Sequence, residues 1–530
     1  MMELSPLKKQ VVWERLIAIV EDQARALMKT AFSPIVRESG DLSAGVFDAS
    51  GCMLAQARTG TPGHINTMAE SVGKFLTFFP IDELSDGDVL ATNDPWIGTG
   101  HLNDYVVVTP IFANQNLIGF FACTGHMTDV GGIGLSPDGL DIFMEGTRIP
   151  PVKIVEQGKL NEAIVQIARQ NSRLPDEIEG DIHALIACNA WGDRRLKEMF
   201  EEVGLSDLEL IGEHIIEHTD KAFQEAIRPH AGTTSTHQMT IDGYDEKLDL
   251  VATVSIHIDH VEVKWDGTSS ASKFGINVPL GYAAAYSSYA VLCALASDVP
   301  NNHGTLQNIR VSAPKDTVVN AVFPQPVSCR HIVGGLLPDV VLGAIDKIIP
   351  GKLPAESASA LWTLTFKGGG SNPFTTSIVT NGGTGARPHR DGLSATAFPS
   401  AVRGTPVEMV ETKTPLIFWR RELRIGSSGE GCHRGGLGQE IEIGTCDGNP
   451  LTLVAAFDRI ENAARGREGG QPGANGALCT SDGLPLAGKG THTLPPDKTF
   501  VFRSPGGGGY GSPERRDPKA KEEDQRFGLI

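Results

Sequence analysis

Apolar residues recur near the N-terminus at Val12, Leu16, Ile19, Val20, Leu27 and Met28. That is the three-to-four spacing of one helix face, and it predicts a helix over about 10–32 ending before Ser33-Pro34. From Asp41 the period shortens. Residues 42–47, the turn Asp48-Ala49-Ser50-Gly51 and residues 52–57 read as a β-hairpin. A second hairpin follows at 105–112 and 117–123, joined by Ala113-Asn114-Gln115-Asn116. Helical spacing returns from about 156 to 228, notably over 196–203 and 208–227. The polar, breaker-rich stretch 228–236 then predicts a domain boundary. Beyond it come strands over 248–265, a small-residue helix around 280–297 and further strands. The C-terminal part is short strands punctuated by glycine, with a charged tail from Ser512 expected to be mobile or a docking strip.

This pattern predicts a mixed α/β (α+β), multi-domain chain with mostly antiparallel sheets. We expect an N-terminal helical and hairpin domain over 1–230, a strand-rich α/β domain over 231–415 and a glycine-rich β domain over 416–530. The length of 530 residues is enough for roughly two or three domains with buried cores. The 61 glycines and 32 prolines sit between apolar runs, so they indicate tight turns rather than low complexity.

A formal net charge of −18 repels phosphate backbones and argues against a nucleic-acid partner. The eight cysteines are scattered without a C-x-x-C pair, which fits reduced thiols better than a disulfide framework. The opening Met-Met-Glu-Leu-Ser-Pro has no basic region leading into an apolar core, and no apolar run reaches the ~18–20 residues of a membrane span. A cytoplasmic protein without signal peptide or membrane partner is therefore expected.

The chemistry concentrates in Asn93-Asp94-Pro95-Trp96-Ile97-Gly98-Thr99-Gly100-His101-Leu102-Asn103-Asp104 and, a hairpin away, in Gly125-His126-Met127-Thr128-Asp129-Val130-Gly131-Gly132. Histidine and aspartate supply the nitrogen and oxygen donors preferred by Zn²⁺, Mn²⁺ and Fe²⁺. If Phe112 pairs with Leu117, the register sets His126 opposite Asn103 and beside Asp104. The open end of the hairpin then gathers His101, Asp104 and His126, with cross-strand neighbours ~5 Å apart. Glycines 98, 100, 125, 131 and 132 are expected to leave room around these side chains. A fourth ligand could be Asp41, with Glu38 as its competitor. Asp94 is expected to organise the Asn-Asp-Pro turn. Asp129 is a candidate supporting or catalytic carboxylate, and His64 either a general base or a hydrogen-bonded structural histidine.

No nucleotide site stands out. Residues 483–489 have phosphate-loop spacing, but Gly490 replaces the Mg²⁺-binding hydroxyl, Pro485 interrupts the loop and no helix pattern follows. The glycine run 506–511 also lacks a following helix. Gly382-Gly383-Thr384-Gly385, with Arg387, His389 and Arg390 nearby, reads as a site wall or simply a turn. A G-x-S-x-G nucleophile elbow is absent.

These residues resemble the hydantoinase B/oxoprolinase family, which carries an Asn-Asp-Pro…His-x-x-Asp segment followed by Gly-His-x-x-Asp-Val-Gly-Gly. Further matches include Asn171-Ser172-Arg173-Leu174-Pro175 with Gly180-Asp181, the stretch 323–330, Thr405-Pro406-Val407-Glu408, Gly435-Gly436-Leu437-Gly438 and the terminal run 505–511. The resemblance implies a division of labour. A larger hydantoinase A-type partner, in a heterodimer or heterotetramer, binds ATP and phosphorylates the amide oxygen of a lactam, hydantoin or 5-oxoproline. This chain then supplies one divalent metal ion (Zn, Mn or Fe) whose bound water attacks the activated carbon. His101, Asp104 and His126 fall on the family's metal positions, with Asp41 as the fourth. The alternatives are a subunit of an acetone- or acetophenone-type ketone carboxylase, marked by a bicarbonate requirement, and a non-catalytic scaffold.

Overall fold

A computed structural model describes residues 5–58, 61–359 and 361–530. The first layer is a seven-stranded antiparallel sheet of β1 (Leu42–Phe47), β2 (Met53–Gln56), β3 (Val89–Thr92), β4 (Asp104–Ala113), β5 (Asn116–His126), β6 (Val152–Glu156) and β7 (Lys159–Leu160), in the order β2-β1-β5-β4-β3-β6-β7. Its central strands are buried on both faces, which explains the unbroken apolar runs. On one face Ala44, Val107 and Cys123 meet helix α1 (Pro6–Thr30) and helix α3 (Pro175–Val203) through Leu27, Ile182 and Leu185. On the other, Phe47, Val106, Val108 and Phe120 meet helix α2 (Pro62–Phe78) through Met68, Val72 and Phe75. Helix α1 starts where sequence rules place a start: Ser5 caps Lys8 N and Pro6 takes the first helical position.

After helix α4 (Glu209–Ile227) the chain enters a second sheet, β11-β10-β9-β8, made of β8 (Thr233–Ile241), β9 (Leu248–Ile256), β10 (Val261–Lys264) and β11 (Ile309–Ser312). β10 and β11 are parallel. Strand β8 begins inside the stretch expected to be a domain boundary, and Thr233, Thr234 and Thr236 are exposed on this edge strand. Helices α5 (Leu280–Leu295) and α6 (Leu337–Asp346) cover this sheet, packing Val291, Val340 and Val341 against Val254, Val263 and Trp265.

The remaining strands form two antiparallel four-stranded sheets over a shared aromatic core of Trp362, Phe366, Phe457, Phe500 and Phe502. One contains β12 (Leu361–Gly368), β13 (Phe374–Asn381), β16 (Leu451–Ala456) and β18 (Lys489–Leu494); the other β14 (Leu416–Leu423), β15 (Gln439–Thr445), β17 (Ala477–Thr480) and β19 (Phe500–Arg503). This corrects the expected boundary at 415: β12 and β13 pair into a sheet whose other half lies beyond residue 450. The charged tail is not loose either. It forms a helix over Pro518–Arg526, tied down where Arg516 pairs with Asp391 and where Arg434 meets the buried Asp524. No helix among the described residues is long and apolar enough to cross a membrane.

Beside this sandwich lies an array built from backbone alone. The N–H groups of Gly507, Gly508 and Gly509 donate to the carbonyls of Gly436, Glu356 and Gln471 at 3.0, 2.9 and 2.9 Å. Their own carbonyls accept from Gly429, Ala386 and Arg467, each at 2.9 Å. A Cβ on Gly507 would fall onto the Thr384 carbonyl oxygen, and one on Gly436 onto that of Leu393. Only glycine lets these segments approach so closely.

Candidate metal centre

Strands β1, β5 and β4 are adjacent in the first sheet, and their ends set Asp41, His126 and Asp104 in a row. Leu42 pairs with Gly125, so Asp41 precedes it beside His126, and His126 N donates to Asp41 O at 3.3 Å. Asp104 is the direct partner of His126. Phe112 does pair with Leu117 across a turn in which Asn114 and Gln115 take positive φ. A bulge between Ile111 and Phe112 then shifts the register by one residue. His126 therefore faces Asp104 and not, as expected, Asn103.

Other elements complete the cluster. His101 comes from the loop before β4, and His64 from the first turn of α2. Tyr282 and Tyr286 come from α5, and Arg330 and His331 from the short helix Arg330–Gly334. They line a small cavity of about 30 Å³ at the junction of the three layers, room for an ion and a water or two. One donor atom from each of His101, Asp104 and His126 lies within 4.8 Å of the others, all buried. Asp104 Oδ1 is 2.9 Å from His101 Nε2 and 3.0 Å from His126 Nδ1. Its Oδ2 takes Thr99 Oγ1 at 2.5 Å, the Arg330 guanidinium, and His64 Nε2 at 3.0 Å. Asp41 reaches His126 Nδ1 at 3.8 Å and His64 Nδ1 at 3.5 Å.

The donor chemistry matches a cation. His101 Nδ1 lies 2.9 Å from the Ser328 carbonyl, which can only accept, so Nδ1 carries the proton and Nε2 is a bare lone pair. That lone pair faces a carboxylate oxygen at 2.9 Å outside hydrogen-bond geometry. Two acceptors this close repel unless a positive charge lies between them. Asp41 Oδ1, His64 Nδ1 and His331 Nε2 are likewise buried without a hydrogen-bond partner, and such atoms are costly when left unpaired. The His and Asp donors fit Zn²⁺, Mn²⁺ or Fe²⁺.

The field of the site points the same way. Burial, seconded by Arg330, holds His101 down to about 3 and therefore neutral. Burial and the Arg330 guanidinium also hold His331 well below its ordinary value. Burial opposes the charge on Asp104, but the surrounding imidazoles and Arg330 overcome it and keep the carboxyl well below the usual range. For His64 burial is again opposed, here by Asp104 and Asp41, and the imidazole is raised.

Not every expected residue arrives. Glu38 pairs with Arg37 at 2.9 Å and does not line the cavity. Asp129 is also not brought there: the Arg173 side chain at 2.6 Å, the Arg173 backbone N–H and Ser172 Oγ occupy its carboxylate. It does not line the cavity as expected, and this pairing fixes the turn after β5 instead. Asp94 organises its turn as expected, accepting from Trp96 N at 2.9 Å. The glycines also act differently from expectation. A Cβ on Gly100 would sit 2.7 Å from Arg330 Cδ, so that glycine admits the arginine rather than a ligand.

The residues unassigned from sequence are Tyr282, Ser328, Arg330, His331 and Glu145. Arg330 lies over the Tyr282 ring at 4.2 Å. Glu145 is fully buried, and its Oε1 accepts from Val327 N at 2.7 Å and Ser328 N at 2.8 Å, fixing the segment whose carbonyl holds His101. The one available signal was a polar Ser328-Cys329-Arg330-His331 run set between apolar residues.

The family model for Hydantoinase B/oxoprolinase matches residues 5–513, so the chain belongs to that family. It is 30% identical to 5-oxoprolinase 1 of Arabidopsis thaliana, over 94% of this chain and 41% of that protein. It is 26% identical to the caprolactamase subunit beta of Pseudomonas jessenii, over 99% and 94% of the two chains. Its fold is similar to the crystal structure of the ATP-dependent caprolactamase from that organism, with a TM-score of 0.90 at 24% identity covering 100% of this chain and 95% of the other. A nucleotide-free acetone carboxylase structure matches at TM-score 0.87 and 19% identity, over 99% and 78%. The mixed architecture with mainly antiparallel sheets is thus shared with solved structures.

Proposed function

We propose that this chain is the B-type subunit of a two-component, ATP-dependent hydrolase of cyclic amides: lactams, hydantoins or 5-oxoproline. In this reading a hydantoinase A-type partner binds ATP and phosphorylates the amide oxygen, and this chain admits water to the activated carbon. Asp41, His101, Asp104 and His126 are the proposed metal ligands. The observation that carries the proposal is the bare His101 Nε2 set 2.9 Å from Asp104 Oδ1 in a buried cavity. Family membership supplies the reaction class.

A divalent ion held by these four residues supplies Lewis acidity to water and to a reacting oxygen. The chain's own groups prepare the site. Arg330 keeps Asp104 ionised, and the Ser328 carbonyl fixes the His101 tautomer. His64, on the cavity wall with Nδ1 unpartnered, is the proposed general base for water. It returns the proton to the ring nitrogen as the C–N bond breaks, and the acyl phosphate so formed is cleaved by a second water to carboxylate and inorganic phosphate. The buried walls exclude bulk water, which would otherwise hydrolyse a phosphorylated intermediate before ring opening is controlled.

The test is co-purification with the A-type partner and turnover of 5-oxoproline, a hydantoin, caprolactam, acetone and acetophenone, each with and without ATP and bicarbonate. ATP-dependent opening of a cyclic amide without bicarbonate is expected. Ring opening without ATP, or bicarbonate-dependent consumption of a ketone, overturns the proposal, the latter in favour of a carboxylase.

A further inference from the structure

The metal cavity is walled by buried side chains and is too small for a ring, so whatever reacts there has to reach it from a larger space. The pocket of about 350 Å³ between α2 and α5 does not provide that space, because none of its lining residues lines the cavity. A different pocket, of about 280 Å³, lies beside the short helix Pro34–Arg37. Ile35 of that helix lines both the pocket and the cavity.

Two chain segments run from one space into the other. On β13, Val379 lines the cavity, while Ser377 and Thr375 line the pocket. Alternate residues of a strand share a face and stand ~6.8 Å apart, so these three form a row leading outward. That face is turned to the first layer. Val379 packs in the same apolar cluster as Ile35, whereas Ile378 belongs to the aromatic core of the sandwich. At the end of β5, His126 lines the cavity, and Thr128, two residues further on, lines the pocket. The helix Pro34–Arg37 packs on both β5 and β13, which sets Ile35 at the partition. Its side chain is 5% exposed, and its carbonyl accepts from Asp41 N at 3.1 Å, next to a proposed ligand.

The pocket has mixed walls. Pro34, Leu174 and Phe374 are apolar. The half-buried Thr375 and Thr376 keep surface, and their hydroxyls make no hydrogen bond among the described residues. A small, neutral, polar molecule can exchange water for those hydroxyls as it enters.

We propose that this pocket is the vestibule of the metal cavity and that Ile35 sets how large a group passes inward. The vestibule takes the body of a neutral, polar substrate while its reacting carbon goes past Ile35 to the metal ligands. Use of the passage in turnover rests on the cyclic-amide reading above; the passage itself does not.

Val379→Cys and Ser377→Cys, made separately, place a thiol at the inner end of the row and in the pocket. Each full chain is alkylated with iodoacetamide and followed by peptide mass spectrometry, with the buried native Cys188 reporting global opening. Relative to Cys188, adding Ile35→Trp slows labelling at 379 about tenfold and Ile35→Ala speeds it about as much, while labelling at 377 changes less than about twofold. Labelling at 379 that ignores both changes, or that is absent even with Ile35→Ala, overturns the passage. In the complex with the partner, Ile35→Trp lowers kcat/KM for the cyclic amide about tenfold at unchanged metal content. Loss of metal along with turnover would show that Ile35 acts through Asp41, and it overturns the sieving role. Slowed labelling with unchanged kcat/KM overturns the vestibule as the substrate's route. Absence of cyclic-amide turnover by the unmodified complex overturns the hydrolase reading and leaves the labelling result standing.

Discussion

The chain buries polar atoms in two ways that contrast sharply. At the centre of the glycine array the polar atoms are backbone, and the N–H and carbonyl groups of Gly507, Gly508 and Gly509 all find partners. At the ends of β1, β5 and β4 the buried polar atoms are side chains, and Asp41 Oδ1, His64 Nδ1 and His101 Nε2 are left without a hydrogen-bond partner. The first region is satisfied internally and leaves no room for any side chain. The second is unsatisfied internally, at a cost the fold bears only if something from outside completes it. One region holds the C-terminal layers together, and the other is the proposed binding site.

That contrast is broken most severely from the stable side. Gly507→Ala drives a methyl into the Thr384 carbonyl and is expected to destabilise by on the order of 4 kcal/mol or more, with loss of soluble protein. Normal expression and an unchanged melting temperature would contradict the account of the array. Next in size is Asp104→Ala, which leaves the fully buried Arg330 without its carboxylate. A loss of about 3–5 kcal/mol is expected by thermal or denaturant unfolding of metal-free protein. His126→Ala removes a ligand and one hydrogen bond to Asp104, and costs about 1 kcal/mol in the same measurement. Equal losses for the two variants would mean that the cluster is held together by its internal bonds.

Smaller effects sharpen the role of Glu145. Glu145→Ala frees the Ser328 carbonyl that fixes His101, and metal affinity is expected to fall about 10- to 100-fold by titration calorimetry. Glu145→Gln keeps an acceptor for both backbone N–H groups and should retain most of that affinity.

The pH dependence carries a definite sign. Burial, against two backbone hydrogen bonds, pushes Glu145 up from 4.5 to about 8. The folded chain then holds a proton that the unfolded chain has lost, so stability falls as pH rises from 4.5 to about 8. In metal-free protein Glu145→Gln flattens that decline. A slope unchanged by the substitution would show that Glu145 is ionised in the fold.

The sequence made the first sheet readable because its strands are apolar throughout and its hairpins carry clear turn residues. His101, Asp104 and His126 followed from one hairpin. The bulge at Ile111 was not legible, since one inserted residue changes register without changing the apolar pattern. Asp41 could be raised but not separated from Glu38, because a loop's direction depends on what it packs against. Arg330 and His331 left only a polar run at 328–331 as a signal and Tyr282 left none, because they come from a second layer and long-range packing leaves no local period. The boundary at 415 failed similarly. Strands β12 and β16 pair across about 85 intervening residues, and local composition does not record such pairings.

We propose that His101, Asp104 and His126, with Asp41, form a site for one divalent ion. Its most direct test is titration of the metal-free chain with Zn²⁺, Mn²⁺ and Co²⁺ by calorimetry, repeated on His101→Ala and Asp41→Ala. One tight site per chain, lost or weakened by orders of magnitude in both variants, is the predicted result. Failure of all three ions to bind, or binding unchanged in the variants, would contradict the account.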